Sequence, residues 1–240
     1  MAKTTFINCL YPNKCAACDE IIDDGNILCD YCGIVINNND LSKTCFKCGM
    51  PKDNCRCKYR EFRFKGIVGA FRNAGAAKTV CYSYKMGKRR ELADFLTKRV
   101  YCAVKRAFGD IKFDAVCAVP ATPGSRLKHG FDHAGIIAEN LAQAMGVRYL
   151  SGVLRVRPFR RPQHKSVFRQ RLENVRGKYY TVKRTDAKRV LLFDDIYTTG
   201  ATLDEAAKEL MFAGVQEVYC AAVLATNVKK KPDGVKNNGN

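Results

Sequence analysis

The chain has 240 residues, of which 47% are hydrophobic, and carries a formal net charge of +19. This length fits one α/β domain with a sizeable core plus a small additional module. No apolar run approaches the roughly 20 residues that a membrane-spanning helix needs, and the first fifteen residues lack the apolar segment of a secretory signal. A membrane-spanning or secreted protein is therefore not expected, and the predicted location is the cytoplasm.

Nine of the thirteen cysteines lie within the first 57 residues, mostly as C-x-x-C pairs. In a chain without a secretory signal such clusters indicate metal binding rather than disulfides, and two pairs complete one tetrahedral Zn2+ site. Zinc also supplies folding free energy, about 10–16 kcal/mol per structural site, to a segment with few large apolar side chains. The sequence therefore predicts two structural zinc ions, with the ligands Cys15, Cys18, Cys29, Cys32, Cys45, Cys48, Cys55 and Cys57.

The pairing of these ligands has two solutions. Sequential pairing gives one site from the first four cysteines and one from the last four, and an interleaved arrangement fits the same spacing. The Cys55-x-Cys57 pair departs from the usual C-x-x-C spacing, so the second site is less typical of zinc. Redox-active dithiols are the alternative to metal binding.

Two kinds of periodicity follow the cysteine module. Residues 58–71 alternate polar and apolar on either side of Lys65-Gly66, which favours a β-hairpin. A helix is predicted from Ala74 to Tyr84, and a longer amphipathic helix from Glu91 to Phe108, where apolar residues recur every three or four positions.

A buried strand predicted over Asp114–Pro120 leads into a loop of proline, glycine and basic residues that runs to His133. Glycine lets the backbone approach an anion closely, and lysine and arginine neutralise it. The loop is therefore predicted to bind pyrophosphate, through Pro120, Ala121, Thr122, Arg126, Lys128, His129 and Gly130. A helix from Ala134 to Met145 is expected after it, ending at Gly146.

The most basic part of the chain lies between Arg155 and Arg189, where thirteen Lys or Arg residues stand against two carboxylates. Such a block favours a phosphate-bearing partner, either a small anionic substrate or nucleic acid. A strand is expected within 147–156. Residues 157–178 are too charged and irregular for a core element, which indicates a long functional loop. A solubilising surface is the simpler alternative.

Residues 190–202 read VLLFDDIYTTGAT. Val190 to Phe193 are typical of a buried strand in a parallel sheet, and Asp194 and Asp195 come where that strand is expected to end. Paired carboxylates suit ribose hydroxyls or hydrated Mg2+. A glycine-containing loop before a helix binds phosphate through its amides, helped by the helix dipole. This loop consists of Thr198, Thr199, Gly200, Ala201 and Thr202, and the helix is expected from about Leu203.

Residues 190–202 resemble the signature loop of the type I phosphoribosyltransferases, which bind 5-phosphoribosyl-1-pyrophosphate (PRPP). From about Cys15 to Thr226 the order of motifs resembles the ComF (GntX-like) family, which has an N-terminal double zinc ribbon. The matching segments are Tyr84-Lys85-Met86-Gly87, Val119–Pro123, His129–His133 where that family has R-G-F-N-Q, and Gln163, Arg171, Asn174, Gly177 and Tyr179 at the family's spacings.

This resemblance implies an α/β fold: a type I phosphoribosyltransferase-like parallel sheet flanked by helices over residues 59–226. A small zinc-ribbon module, 1–58, precedes it, and a flexible basic tail, 227–240, follows. Asp194 and Asp195 are implied to bind ribose and Mg2+ at the catalytic centre, and residues 198–202 to bind the 5′-phosphate. A hood over the substrate is implied to contain Lys85, Arg157, Gln163, Arg171 and Asn174.

The family also implies a role in natural competence, with incoming single-stranded DNA, a competence helicase and recombination proteins as partners. Two departures from the family pattern are His129 for arginine and His133 for glutamine, with Arg126 and Lys128 as alternative cations. For each histidine, a surface position without a function is the alternative. Arginines interleaved with aromatic residues in the basic segment equally suit a nucleic-acid surface.

Thr198 stands where purine-salvage phosphoribosyltransferases have an aspartate that acts on the base, so the sequence identifies no acceptor and does not establish turnover. Three functions stay open. The first is a PRPP-binding, transferase-like protein acting in competence. The second is a non-catalytic PRPP- or nucleotide-sensing module, and the third is a zinc-containing DNA-binding adaptor with a vestigial phosphate loop.

Overall fold

The computed structural model describes residues 12–37, 43–55, 57–58, 60–86, 89–124, 130–157 and 177–226. The strands in these ranges are β1 (Gly66–Arg72), β2 (Ala115–Ala118), β3 (Arg148–Tyr149), β4 (Leu154–Val156), β5 (Tyr179–Thr181), β6 (Arg189–Tyr197) and β7 (Glu217–Ala225). The helices are α1 (Asp30–Asn37), α2 (Gly75–Lys85), α3 (Leu92–Phe108), α4 (His133–Met145) and α5 (Ala201–Phe212), with a 3-10 turn at Lys52–Asn54. None of the helices in these ranges is long and apolar enough to cross a bilayer.

Five strands form one parallel sheet in the order β1-β7-β6-β2-β3. Its central strands are apolar on both faces, since Val190 to Phe193 of β6 and Cys220 to Leu224 of β7 are completely buried. Burial on both faces is the environment that favours continuous apolar runs over alternating ones. The predicted fold class, a parallel sheet flanked by helices, is confirmed.

Helices cover both faces of this sheet. Helices α2, α3 and α4 pack on one face, where Leu96 and Leu141 are completely buried. Helix α5 packs on the other face through residues such as Leu210. Strands β4 and β5 pair antiparallel in a separate ribbon against α5, and Thr181 Oγ1 donates a hydrogen bond to the Glu209 carbonyl at 2.6 Å.

The strand order places a topological switch between β2 and β6. From β2 the chain passes through α4 to β3 on one side, and from β6 it passes through α5 to β7 on the other side. Because α4 and α5 lie on opposite faces of the sheet, the two connections diverge and leave a crevice at the carboxyl ends of β2 and β6. Ligands of open α/β sheets bind in such crevices.

The β-hairpin predicted for residues 58–71 is wrong. Only Gly66–Arg72 forms a strand, and it lies parallel to β7 at the edge of the sheet. The preceding residues leave the sheet because Arg63 N donates to the Asp204 carboxylate at 2.6 Å and Phe64 is buried on the α5 side of the core.

The single strand expected within 147–156 is two short strands in different sheets, because the chain turns between them. Strand β3 extends the parallel sheet, whereas β4 belongs to the ribbon. Gly152 lies in the turn with a φ of 68°, a backbone angle that glycine adopts without strain. The predicted helices agree with α2, α3 and α4 to within one residue at their ends.

Candidate functional site

The acidic pair lies within β6 rather than after it. Strand β2 ends at Ala118, opposite Phe193, whereas β6 continues beside β7 as far as Tyr197. The prediction that the strand ends at Asp194 is therefore wrong, because pairing with β7 alone keeps the last residues extended. Because of the same mismatch in length, β6 extends beyond the paired part of β2, and Asp194 and Asp195 lie in this extension, partly buried.

Asp195 is paired with Lys85, the last residue of α2. Lys85 Nζ donates to Asp195 Oδ2 at 2.5 Å, and only 27% of the lysine side chain and 18% of the aspartate side chain are exposed. Burial alone would lower the pKa of Lys85 and raise that of Asp195. Their mutual attraction outweighs burial, so the pKa of Lys85 is raised and that of Asp195 is lowered. The crevice thus contains an ionised ammonium–carboxylate pair.

Asp194 has the opposite protonation behaviour. The carboxyl of Asp194 interacts with that of Asp195, and it also lies within electrostatic range of Lys85. Burial, followed by the negative charge of Asp195, raises the pKa of Asp194 well above its usual range. Its Oδ1 accepts a hydrogen bond from the Asp195 amide at 2.8 Å. A carboxylate accepts hydrogen bonds and a neutral carboxyl also donates one, so a pair whose pKa values are shifted in opposite directions suits a polyhydroxyl ligand.

The loop after β6 starts its helix earlier than predicted. Gly200 is the N-cap residue with a φ of 79°, so α5 begins at Ala201 and not at Leu203. A Cβ at Gly200 would lie 2.9 Å from the Phe62 ring, so both the backbone angle and the packing require glycine. The loop amides that donate no hydrogen bond to any residue in the described ranges are those of Thr198, Thr199, Gly200 and Thr202. At the positive end of a helix, such amides form an anion site.

Two contacts from distant parts of the chain hold this loop in place. Arg60 Nη1 donates to the Thr199 carbonyl at 3.2 Å, and Arg60 Nη2 lies 3.7 Å from the buried Asp204 carboxylate. The Tyr197 hydroxyl donates to the Cys48 carbonyl at 2.5 Å. No sequence pattern indicates either contact, because the partners are 139 and 149 residues apart.

Part of the predicted pyrophosphate loop lies across the crevice, at the end of β2. Val119 N donates to the Phe193 carbonyl at 2.8 Å, which holds the start of the loop beside β6. Pro120, Ala121 and Thr122 follow, each partly buried. Gly130, at the other end, has a φ of 76° and no atom within 4 Å of where a Cβ would lie. The predicted residues Arg126, Lys128 and His129 lie outside the described residues.

His133 is a buried residue, so the surface alternative is wrong for it. It is the first residue of α4, and Asp132 caps that helix by accepting the Gly135 amide at 2.9 Å. Its ring centroid lies 6.3 Å from that of Tyr84 and 5.1 Å from that of Phe131, both edge-on, and the Tyr84 hydroxyl donates to its carbonyl at 3.1 Å. His133 therefore helps to fix α4 against the helix that carries the site lysine.

The described part of the predicted hood also includes Arg157. Its amide donates to the Lys178 carbonyl at 2.8 Å, and its guanidinium carbon lies 5.2 Å from the centroid of the Tyr180 ring. The Gly177 amide donates to the buried Glu205 carboxylate at 2.8 Å. The two ends of the basic stretch are thus joined to each other and attached to α5. The predicted residues Gln163, Arg171 and Asn174 and the tail 227–240 lie outside the described residues.

The amino-terminal cysteines form two clusters, in each of which the four sulfur atoms lie within 4.8 Å of one another. The pairing is sequential, and the interleaved alternative is wrong. Individual Sγ–Sγ distances are 3.6–3.7 Å. A tetrahedron with Zn–S bonds of about 2.3 Å has edges of about 3.8 Å, whereas a disulfide is about 2.05 Å long. Both clusters can therefore hold a tetrahedral metal ion: Cys15, Cys18, Cys29 and Cys32 the first, and Cys45, Cys48, Cys55 and Cys57 the second.

The second cluster packs against the end of β6. Cys48 is completely buried, in the same core group as Ile67 and Tyr197. Gly49 has a φ of 67°, and a Cβ on it would lie 2.9 Å from Ile67 and 3.0 Å from Tyr197. A larger residue would separate the two surfaces, so this glycine is needed for the close contact between the cysteine cluster and the strand that leads into the phosphate loop.

Comparison with known proteins gives one domain match and several similar proteins. Residues 129–237 match the phosphoribosyl transferase domain family, a range that includes β6, its loop and α5. The DNA utilization protein YhgH of Escherichia coli O6:H1 is 22% identical over 211 residues, which cover 86% of this chain and 88% of that protein. The competence protein ComFC of Streptococcus pneumoniae is 27% identical over 221 residues, which cover 85% of this chain and 96% of that protein. The chain therefore contains a match to the phosphoribosyl transferase domain and is similar over most of its length to DNA utilization and competence proteins.

The acidic pair and the loop 198–202 lie inside the matched range, whereas Lys85, residues 120–122 and both cysteine clusters precede it. Among solved structures, a glutamine PRPP amidotransferase from B. subtilis is 21% identical with a TM-score of 0.35, covering 57% of this chain. The chain spans about a quarter of that enzyme, 26% of its length.

Proposed function

We propose that the crevice between β2 and β6 binds PRPP together with Mg2+. The observation that supports this proposal most directly is the juxtaposition, at the switch point of a parallel sheet, of two carboxyls and a helix-start loop in which four amides have no partner among the described residues. The amides of residues 198–202 hold the 5′-phosphate, and Asp194 and Asp195 bind the ribose hydroxyls. Pro120, Ala121 and Thr122, at the end of β2, face the pyrophosphate.

The charges of the crevice suit this ligand. The helix dipole and the loop amides favour phosphate, and Lys85 keeps Asp195 ionised. Mg2+ supplies charge neutralisation of the pyrophosphate when it is bound, and carboxylate oxygens are ligands that it prefers. Because the pKa of Asp194 is raised, engaging Asp194 as a carboxylate releases a proton. The affinity for the magnesium complex of PRPP should therefore increase with pH through the pKa of Asp194.

The test is calorimetry of the zinc-loaded chain with PRPP and Mg2+. Removing one hydrogen bond to a charged group costs about 1.5–3 kcal/mol, so Asp194→Asn and Asp195→Asn should each weaken binding by about 10- to 150-fold. Asp110→Asn, at an exposed position after α3, is the matched control and should bind as the wild type does. Wild-type protein that gives no heat with PRPP, or binds it equally well without both carboxylates, would refute the proposal.

A non-catalytic PRPP sensor is the second candidate, and Thr198 favours it. The hydroxyl of Thr198 replaces the carboxylate that acts on the base in purine-salvage phosphoribosyltransferases, so this position offers no strong proton acceptor. Pyrophosphate release measured across a panel of nucleobases separates the two candidates. Release with one base identifies a phosphoribosyltransferase and its acceptor. Tight PRPP binding without release supports the sensor.

We further propose that the protein acts in the cytoplasm on incoming single-stranded DNA. Support comes from the two relatives, which are named for DNA utilization and competence, and from the net charge of +19. Competence helicase and recombination proteins are the proposed partners. Contacts to phosphates make DNA affinity fall steeply with added salt, so a salt titration with oligothymidylate tests this role. A flat response would contradict backbone binding and leave only the small-ligand function.

Zinc is the proposed metal of both cysteine clusters, with a structural role. Four thiolates occupy every coordination position of a tetrahedral ion, so neither site has an open position for a substrate. Metal analysis should return about two zinc ions per chain, and Cys18→Ser and Cys57→Ser should each remove one. Protein that folds fully without metal, or that holds another metal in a different ratio, would contradict this role.

A further inference from the structure

Helix α1 is apolar on more than one side, although it lies at the surface. Cys32 and Ile36 face inward and are buried where α1 packs on α2. Tyr31 and Ile34 face outward, with 75% and 60% of their surface exposed. A helix that is apolar all round is normally covered on both sides. The outer side of α1 therefore has the composition of a buried surface.

The exposed apolar residues near α1 form a concentrated patch. Of the eight large apolar side chains that are exposed within the described ranges, four lie between residues 21 and 35: Ile21, Tyr31, Ile34 and Val35. Ile21 and Tyr31 also line a groove of about 410 Å3, whose rim carries Glu20, Asp23 and Asp30. Apolar patches rimmed by polar residues are typical of protein-binding surfaces.

The charge of this region is opposite to that of the chain as a whole. Residues 12–37 contain one lysine against five carboxylates, a formal net charge of −4 in a protein of net charge +19. The three rim carboxylates form no ion pair with any basic residue in the described ranges. A zinc ion held by four thiolates adds a further two negative charges to the same region. Such a surface repels nucleic acid and attracts cationic groups.

We propose that this amino-terminal groove, formed by Glu20, Ile21, Asp23, Asp30 and Tyr31 and continued by Ile34, docks a protein partner through a basic amphipathic segment. An apolar side chain of the partner fills the groove between Ile21 and Tyr31, and flanking Lys or Arg residues pair with the rim carboxylates. The first cysteine cluster therefore presents a protein-binding surface, whereas anionic ligands bind at the crevice, whose helix-start amides and lysine suit phosphate.

The test uses the full-length, zinc-loaded chain and three fluorescent probes. These are an amphipathic Lys/Leu peptide of about four helical turns, its Glu/Leu counterpart, and an oligothymidylate. The Lys/Leu peptide should bind at least about tenfold more tightly than the Glu/Leu peptide and weaken with added salt. Truncating central apolar anchors costs more than about 1 kcal/mol each, so the double variant Tyr31→Ala/Ile34→Ala should lose at least about 25-fold in affinity.

Matched variants localise the effect. Glu20→Gln/Asp23→Asn should remove most of the salt dependence while leaving the apolar contact. Phe212→Ala, at a residue of α5 that is 65% exposed, should leave peptide binding unchanged. Zinc content and thermal unfolding of each variant must match the wild type, which separates loss of docking from loss of folding.

Four results would overturn the proposal. The peptide could bind equally to the wild type and the Tyr31→Ala/Ile34→Ala variant. Oligothymidylate binding could fall in that variant, which would identify a nucleic-acid surface. Light scattering could show self-association that the variant abolishes, which would make a second copy of the chain the occupant. Binding that appears only after deletion of residues 1–11 would show that the chain covers its own groove.

Discussion

The two adjacent aspartates should respond very differently to the same substitution. Asp195→Asn removes the negative partner of Lys85 but keeps the shape of the side chain. Breaking a buried ion pair from one side costs about 3–5 kcal/mol because an unpaired charge stays buried. Since 27% of the Lys85 side chain is exposed and can reach water, we expect the low end, about 3 kcal/mol. For a chain of this size, that is a fall in Tm of about 6–12 °C.

Asp194→Asn should be nearly neutral for stability. Burial and the charge of Asp195 raise the pKa of Asp194 and so favour its neutral form, and an asparagine side chain resembles a neutral carboxyl in shape. The amide oxygen can still accept the hydrogen bond from the Asp195 backbone that Oδ1 accepts at 2.8 Å. We expect a change below about 1 kcal/mol.

Urea denaturation at neutral pH, in the presence of zinc and without ligand, measures both free energies of unfolding. The exposed Asp110→Asn variant sets the scale for a surface carboxylate. Equal losses of unfolding free energy for the two site variants, or a larger loss for Asp194→Asn, would contradict the assignment of the charged carboxylate to Asp195. Lys85→Met in the Asp195→Asn background should recover part of the lost unfolding free energy, since it removes the ammonium group that has no ion-pair partner in that variant.

Three further outcomes are expected. The raised pKa of Asp194 contributes stability that is complete below its unfolded pKa of about 3.9 and is lost as pH rises through the folded pKa. The free energy of unfolding of Asp194→Asn should therefore increase relative to that of the wild type as pH rises. Parallel pH profiles of unfolding for the two proteins would contradict this. Gly200→Ala should cost about 1–2 kcal/mol, because an alanine at a φ of 79° is strained, and should weaken PRPP binding in calorimetry. Tyr197→Phe leaves the buried Cys48 carbonyl without its donor and should cost about 1–3 kcal/mol in chemical denaturation, whereas Tyr82→Phe, at a ring that is 41% exposed, should cost less than about 0.5 kcal/mol.

Features encoded in contiguous residues could be predicted from the sequence. The apolar run Val190–Phe193 predicts a strand buried on both faces, and all four residues are completely buried. The C-x-x-C spacings predict two four-cysteine clusters, because each pair brings two sulfurs to one centre. Helix periodicity located α2, α3 and α4 to within one residue. The division of the chain at residue 58 stays a prediction.

Features that depend on contacts between distant residues could not be predicted. The length of β6 beyond Phe193 is set by its pairing with β7, and the end of β2 at Ala118 creates the open edge at the crevice. The ion pair of Lys85 with Asp195 joins residues 110 positions apart. The resemblance to a known family indicates Lys85 as a site residue, but the sequence does not identify Asp195 as its partner. The predicted hairpin is wrong for the same reason, since the Asp204 carboxylate accepts a hydrogen bond from the Arg63 amide, which is distant in the sequence.

The attachment of the basic stretch has a consequence for protein engineering. The ribbon of β4 and β5 brings Val156 opposite Tyr179, and the Arg157 amide donates to the Lys178 carbonyl at 2.8 Å. Arg157 and Gly177, the described residues on either side of 158–176, therefore lie close together, so a short glycine–serine turn can connect them without stretching the backbone. Ligand binding by the shortened chain would show what the parallel sheet binds without residues 158–176. Grafting these residues onto an unrelated β-ribbon would show what they bind without the sheet.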